Sequence, residues 1–134
     1  MKLRQNNLCT FCGLNRESIQ HIFTQCIFVD CFWKELCTLL KNLNCIDNSF
    51  SFDDELILLG ISTAHKIPAV FGYVMLVARY YVYKCRCEGN KPNIMSFLRY
   101  LTDKYHVDKH IAIKNQRIET FEQEWCNWIS LLLN

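Results

Sequence analysis

The chain has 134 residues, 51% of them hydrophobic, with a formal net charge of +2 at neutral pH. This size supports one domain with a core of its own, and only 4 glycines and 2 prolines argue against a disordered chain. The 9 cysteines are an odd number, residues 1–4 begin no secretory segment, and the longest apolar run (67–78) is shorter than the roughly 20 residues of a membrane helix, so we expect no disulfide framework, no membrane span and a reducing compartment.

The first recognisable pattern lies between residues 9 and 26. Its spacing is Cys-x2-Cys-x8-His-x4-Cys, and the candidate ligands are Cys9, Cys12, His21 and Cys26. Three thiolates and one imidazole complete the tetrahedral coordination of Zn²⁺ and leave no position for a reactive water. The sequence therefore predicts one structural zinc ion.

The local backbone must bring these four side chains together. Asn15 suits the N-cap of a short helix that starts near Arg16 and carries His21. Cys26 follows His21 by five residues, about one and a half turns of α-helix. We therefore expect the helix to end or bend near Gln25.

Two other interpretations of these cysteines remain open. Free cysteines are often simply buried. A redox Cys-x-x-Cys motif requires a preceding strand and a helix that starts at its first cysteine. Residues 5–7 are polar and supply no such strand. The added histidine and third cysteine at metal-site spacing favour the metal interpretation.

The remainder of the chain predicts helices and no strand. Asp30 is expected to cap a helix with the apolar stripe Trp33, Leu36, Leu39, Leu40 and Leu43. A polar loop should cover residues 42–52, and a short helix over 53–59 should stop at Gly60.

Longer helices follow. Pro68 suits the first turn of a helix that runs to about Cys87, and this helix is apolar nearly all round as far as Ala78, as expected for a central element. Its predicted buried residues are Val74, Met75, Ala78 and Val82. Pro92 should start the next helix and Asn115 the last. Their predicted core residues are Ile94, Phe97, Leu98, Leu101 and Tyr105 in one, and Ile118, Phe121, Trp125, Trp128 or Ile129, and Leu132 in the other.

The predicted fold class is therefore all-α. It consists of a helical bundle with an N-terminal CCHC hairpin stapled by zinc. We expect a single domain over residues 1–134, with the zinc module in 1–29 and the bundle in 30–134.

The charges are unevenly distributed. Residues 79–117 carry nine Lys or Arg and three acidic residues, whereas other acids gather at 53–55 and 119–124. Arg79, Tyr83 and Arg86 lie four and three residues apart, on one helix face. Guanidinium groups there would bind phosphates, and the tyrosine would stack on an unpaired base. The predicted nucleic-acid residues are Arg79, Tyr83, Lys84, Arg86, Lys91 and Arg99.

A simpler interpretation of the same residues stays open. Arg79 would pair with Glu119 or Glu122, and Tyr83 would belong to the core. At most one or two of the tyrosines in the 79–86 stretch are then free for stacking.

Two stretches also carry a family pattern. They are the order Cys9-x2-Cys12, Glu17-x3-His21, Cys26 and Phe32-Trp33, and the segment 78–86 with Lys91-Pro92 behind it. The N-terminal stretch resembles the zinc-binding domain that follows the reverse transcriptase in LINE-type non-LTR retrotransposons. The later stretch is similar to the C-terminal end of such elements in vertebrates.

The resemblance implies a function. It makes Cys9, Cys12, His21 and Cys26 the zinc ligands, in the tail of a polyprotein whose upstream enzymes nick DNA and copy element RNA. In that family the C-terminal segment contributes nucleic-acid binding. The implied partners are RNA, with DNA as a second candidate, and the upstream reverse transcriptase domain, in a nuclear or cytoplasmic ribonucleoprotein.

The sequence predicts no catalytic activity of its own. It has no Tyr-x-Asp-Asp, no endonuclease set of carboxylates and histidine, and no glycine-rich phosphate loop. We therefore expect neither an enzyme nor a small-molecule substrate. The alternative function is a zinc-stapled helical module for protein interaction with no nucleic-acid role. A second metal site from Cys85, Cys87, His106 and His110 is less favoured, because helix residues two apart point away from each other.

Overall fold

The computed structural model describes residues 7–62 and 66–133. Helices make up 67% of the structure. A π-helical turn at His21–Gln25, here called the π turn, precedes α1 (Ile27–Asn42), α2 (Asp54–Leu59), α3 (Ala69–Glu88), α4 (Ile94–Lys114), α5 (Ile118–Trp125) and α6 (Ile129–Leu133). Within the described ranges the only extended pairing is one antiparallel bridge between Leu8 and Arg16. The all-α prediction is confirmed.

Helix α1 begins four residues earlier than predicted. Its N-cap position is Cys26, whose backbone is extended, so the helix starts at Ile27. Asp30 therefore lies inside the first turn, where a carboxylate favours the positive end of the helix dipole. There it forms an exposed ion pair with Lys34 at 2.9 Å.

The C-terminal ends of α2 and α3 agree with the prediction, whereas Asp53 and Pro68, predicted in the first turns, lie at the N-cap positions. The Asp53 carboxylate accepts a hydrogen bond from the Leu56 backbone N–H at 2.9 Å, and Gly60 ends α2 with a φ of 71°. Pro68 occupies the N-cap position of α3, and Gly89 ends that helix with a φ of 74°. Both glycines adopt the left-handed conformation that side chains with a Cβ rarely take.

Two boundaries after α3 differ from the prediction. Asn93 rather than Pro92 caps α4, because its side chain accepts a hydrogen bond from the Ser96 N–H. Asn115 closes α4 instead of opening the last helix, which starts at Ile118. That last helix is also broken into α5 and α6 by a turn at residues 126–128.

The core lies where α1, α3 and α4 meet. The ring of Phe32 is 5.7 Å from that of Tyr81 and 5.5 Å from that of Phe97, which joins the three helices. The four α3 residues predicted to be buried are fully buried: Val74, Met75, Ala78 and Val82. These observations confirm that α3 supplies much of the core.

A second aromatic group closes the other end of α3. Phe71 packs against Phe50, Phe52 and Trp128, at ring distances of 5.2, 5.9 and 5.9 Å. The segment between α1 and α2, predicted as a polar loop, thus contributes rings to the core. No helix in the described ranges combines the length and the apolar character needed to cross a membrane.

Candidate metal centre and basic surface

The four predicted ligands come together in the structure. The Sγ atoms of Cys9 and Cys26 are 3.8 Å apart, and Cys12 Sγ is 3.5 Å from His21 Nε2. All four candidate ligand atoms lie within 4.8 Å of one another. Two thiolates bound tetrahedrally at about 2.3 Å are separated by about 3.8 Å. This CCHC cluster could therefore hold a metal ion, with His21 coordinating through Nε2.

A tight turn presents the first two cysteines. The Gly13 N–H donates to the Cys9 carbonyl at 2.9 Å, and the Cys9 N–H donates to the Asn15 carbonyl at 2.8 Å. Gly13 has a φ of 65°, the conformation that the turn requires after Cys12. The chain then returns antiparallel to itself, with Arg16 bridged to the residue before Cys9.

The helix that carries His21 starts later than predicted. Arg16 belongs to the antiparallel bridge, so Asn15 is not an N-cap. Helical structure begins at Ile19, and the Ser18 hydroxyl accepts a hydrogen bond from the His21 N–H at 3.0 Å. A serine side chain thus does the capping predicted for Asn15.

The π turn explains how one short helix supplies two ligands. Five residues cover about 1.4 turns of an α-helix, which would place His21 and Cys26 on different faces. Here the Cys26 N–H donates to the His21 carbonyl at 2.8 Å, the hydrogen bond of a π-helix. This wider turn returns the chain above His21, and the extended Cys26 ends it. The expected bend near Gln25 is confirmed.

The electrostatics of the thiols differ. Backbone hydrogen bonds from Leu14 and then Asn15 lower the pKa of Cys12 from 9.0 to about 6. Burial is the main cause that raises the pKa of Cys26 to about 11. A bound cation offsets such a burial penalty, because a coordinating thiol loses its proton. Backbone hydrogen bonds thus favour the thiolate form of Cys12, whereas burial favours the thiol form of Cys26.

An ion pair connects the cluster to the helical body. Glu17 Oε1 accepts hydrogen bonds from the Thr10 N–H and hydroxyl at 3.0 and 2.7 Å. Its other oxygen accepts from Arg86 Nη2 and Nε at 2.6 and 3.2 Å. The two side chains are only 13% and 15% exposed. This Glu17–Arg86 clamp ties the turn that carries Cys9 and Cys12 to α3.

The predicted nucleic-acid residues are in different surroundings. Arg86 belongs to the clamp, and its hydrogen bond to Glu17 raises its pKa. Arg79 packs over Gly60, and burial lowers its pKa. The Nζ atom of Lys91 lies 4.0 Å from the Phe28 ring centroid. The side chains of Tyr83, Lys84 and Arg99 are exposed.

The structure contradicts the simpler interpretation at both Tyr83 and Arg79. Tyr83 is 46% exposed, so it does not belong to the core. The ion pairs found among residues 7–62 and 66–133 do not join Arg79 to Glu119 or Glu122. Instead the Nη1 atom of Arg79 is buried without a hydrogen-bond partner.

Lys84 was predicted as a surface residue, but the sequence-based prediction missed the group of side chains around it. The rings of Tyr80 on α3 and Tyr100 on α4 are stacked, 6.3 Å apart and 21° from parallel. Lys84 Nζ lies 5.0 Å and Lys104 Nζ 5.3 Å from the Tyr100 ring centroid. Both helices contain the pattern Tyr-x3-Lys, as Tyr80 with Lys84 and as Tyr100 with Lys104. This shared pattern is the signal by which the sequence could have indicated the group. That the two repeats meet depends on the packing of α3 against α4.

The remaining candidate metal ligands are not assembled in this way. Cys85 is buried and Cys87 is exposed, on different sides of α3, while His106 and His110 are exposed on α4. Among the residues with described positions, the CCHC cluster is the one group of three or more such ligands close enough to share an ion.

Comparisons with protein-family models, curated proteins and solved structures found no match to this chain. The likeness to a reverse transcriptase zinc-binding domain therefore remains a prediction from the residues.

Proposed function

We propose that this protein is a zinc-binding, nucleic-acid-binding module of a LINE-type reverse transcriptase, with no catalytic role of its own. It would help to hold element RNA or target DNA during target-primed reverse transcription. The observation that carries the proposal is the CCHC cluster, whose candidate ligand atoms all lie within 4.8 Å of one another at the positions where the family pattern requires ligands.

Zinc is the ion that this donor set favours. Thiolate sulfur and imidazole nitrogen are soft or borderline ligands, which suit Zn²⁺ and disfavour Mg²⁺ or Ca²⁺. Four protein ligands leave no open coordination position, so the metal would have a structural role. It would fix the turn at residues 9–13 against the π turn and α1.

The nucleic acid would bind on the surface formed by α3 and α4. Lys84 and Arg99 are exposed there, and Lys104 adds a third cation beside the tyrosines. Arg79, Arg86 and Lys91 make contacts within the protein that phosphate would have to replace. We therefore assign most of the phosphate binding to Lys84, Arg99 and Lys104.

The test is the triple change Lys84→Ala, Arg99→Ala and Lys104→Ala. Each cation that binds a phosphate releases counterions from the nucleic acid. Without the three cations fewer counterions are released, so the magnitude of the slope of log affinity against log salt should fall by roughly two to three units. The control replaces three lysines outside α3 and α4, Lys34, Lys41 and Lys66, and removes the same charge. Equal slopes for the two triple variants, both folded, would contradict the assignment.

One observation favours the alternative of a protein-interaction module. An apolar groove of about 670 Å³ lies between α1 and the start of α4. Leu39, Ile94, Met95 and Leu98 are among the residues that line it. Binding in such a groove would depend little on salt, because apolar contacts release no counterions. A partner whose affinity is insensitive to salt and is lost in Met95→Asp would support this function.

A further inference from the structure

The surface between α3 and α4 carries aromatic rings and ammonium groups together. We call Tyr80, Tyr83, Lys84, Tyr100 and Lys104 the Tyr–Lys strip. Tyr80 is the centre of the strip, because its ring is 6.5 Å from that of Tyr83 and 6.3 Å from that of Tyr100. Three rings thus lie side by side across two helices.

Two of these rings have free surface. Tyr80 is 55% and Tyr83 46% exposed, whereas Tyr81 between them is buried. The Tyr81 hydroxyl is hydrogen-bonded to the backbone of Asn93, which fixes the start of α4. Tyr100 is only partly exposed and backs Tyr80 from the neighbouring helix. Exposing two large rings has a cost in water that a ligand with flat apolar faces would offset.

The cations of the strip are held loosely. Both lysines rest beside Tyr100, a contact that is weak at an exposed site. Lys84 also approaches Glu88, but only to 4.0 Å, and both side chains are about half exposed. Two acids lie near Lys104 in the sequence, Asp103 and Asp108, and the ion pairs among the described residues join Lys104 to neither of them. Either ammonium can therefore turn to a phosphate without breaking a strong contact.

We infer that the Tyr–Lys strip binds single-stranded nucleic acid, with unpaired bases stacked on Tyr80 and Tyr83 and the flanking phosphates on Lys84 and Lys104. This inference rests on the proposed nucleic-acid function and narrows its ligand to single strands. Every base has a π-face, so stacking of this kind accepts any sequence. The bases of a duplex are already stacked on each other, so a duplex offers the strip only phosphates.

The experiment separates bases from phosphates. Fluorescence anisotropy measures the binding of a labelled oligothymidylate of about 12 nucleotides, and of an abasic strand of equal length and charge. If one base stacks, the native protein should bind the strand with bases at least about fivefold more tightly. Oligouridylate of the same length compares RNA with DNA, and a preference over the abasic strand with either supports the inference.

Two double variants then assign the effect to the rings. Tyr80→Leu with Tyr83→Leu should abolish the preference for bases, whereas Tyr80→Phe with Tyr83→Phe should keep it. Both positions are exposed, so both variants should melt close to the native temperature. The phenylalanine pair also shows that the hydroxyl groups are dispensable.

The outcomes distinguish this inference from the proposal beneath it. Equal, salt-dependent affinity of the native protein for the two strands would overturn the stacking inference and leave phosphate binding intact. A preference for bases that survives the leucine pair would also overturn it. If the protein binds none of the strands, both the inference and the proposed function fail. The alternative of a protein-interaction module would then be favoured.

Discussion

The segment of residues 9–26, which we call the CCHC knuckle, and the helical body are built in different ways. The knuckle consists of one turn, one bridge and the π turn, and its ligand atoms lie within 4.8 Å of one another. The body consists of helices whose apolar faces meet around rings such as Phe32 and Phe71. Coordination bonds can order a segment too small for a hydrophobic core, whereas a body of this size needs no such aid.

The two regions nevertheless share an interface. Ile22 and Cys26 of the knuckle belong to the same buried cluster as Trp33 and Leu36 of α1. The Trp33 indole N–H donates to the Phe23 carbonyl at 2.8 Å. The Glu17–Arg86 clamp adds a polar link. Loss of the core should therefore disrupt both regions, whereas loss of the metal should affect mainly the knuckle.

The largest effect is expected from Met75→Asp in the body. Met75 is fully buried in the middle of α3, and an unpaired carboxylate there should destabilise the fold by more than about 4 kcal/mol. The matched control is Leu76→Asp, because Leu76 is 55% exposed on the same helix. Thermal unfolding followed by circular dichroism measures both. Similar melting temperatures for the two variants would show that this face of α3 is not the core.

A smaller, local effect is expected from Cys12→Ala in the knuckle. Three ligands bind zinc more weakly than four. The knuckle should therefore lose on the order of several kcal/mol of local stability, while the helical body remains folded. Cys31→Ala removes an exposed thiol outside the cluster and serves as the control. Zinc content and amide hydrogen exchange over residues 9–26 are the measurements. A finding that the undialysed native protein contains no zinc would contradict this prediction.

The smallest effect is expected from the link between the regions. Glu17→Gln keeps an acceptor for Thr10 but removes the charge that faces Arg86, and should cost about 1–3 kcal/mol. Asp30→Asn is the control, because it breaks an exposed ion pair that contributes little to stability. Denaturant unfolding and hydrogen exchange in the knuckle measure both. If the two variants lose equal stability, the clamp does not join the regions.

Predictions from the sequence succeeded where the determinants are local. Gly60 ends α2 as expected, since a glycine readily takes a positive φ, and the helix starts within one residue of its predicted position. Predictions failed where two adjacent signals compete. Asn15 and Ser18 both suit an N-cap, and the pairing of Leu8 with Arg16 decided for Ser18.

The predicted site residues divide in the same way. The four candidate ligands were identified by spacing alone, because short-range geometry limits which side chains can share one ion. Spacing did not show which of the basic residues are engaged by other side chains of the protein. Arg86 shares a helix face with Arg79 and Tyr83, but the acid that engages it, Glu17, lies 69 positions away in the chain.

The sequence by itself determined the helical class, the ligand set and the buried face of α3, since periodicity and ligand spacing are properties of neighbouring residues. Only the tertiary structure decided which cations face solvent and which tyrosines meet. Whether a surface side chain is engaged depends on the helix that packs beside it. Tyr80 and Tyr100, twenty positions apart, come together because α3 and α4 form a hairpin.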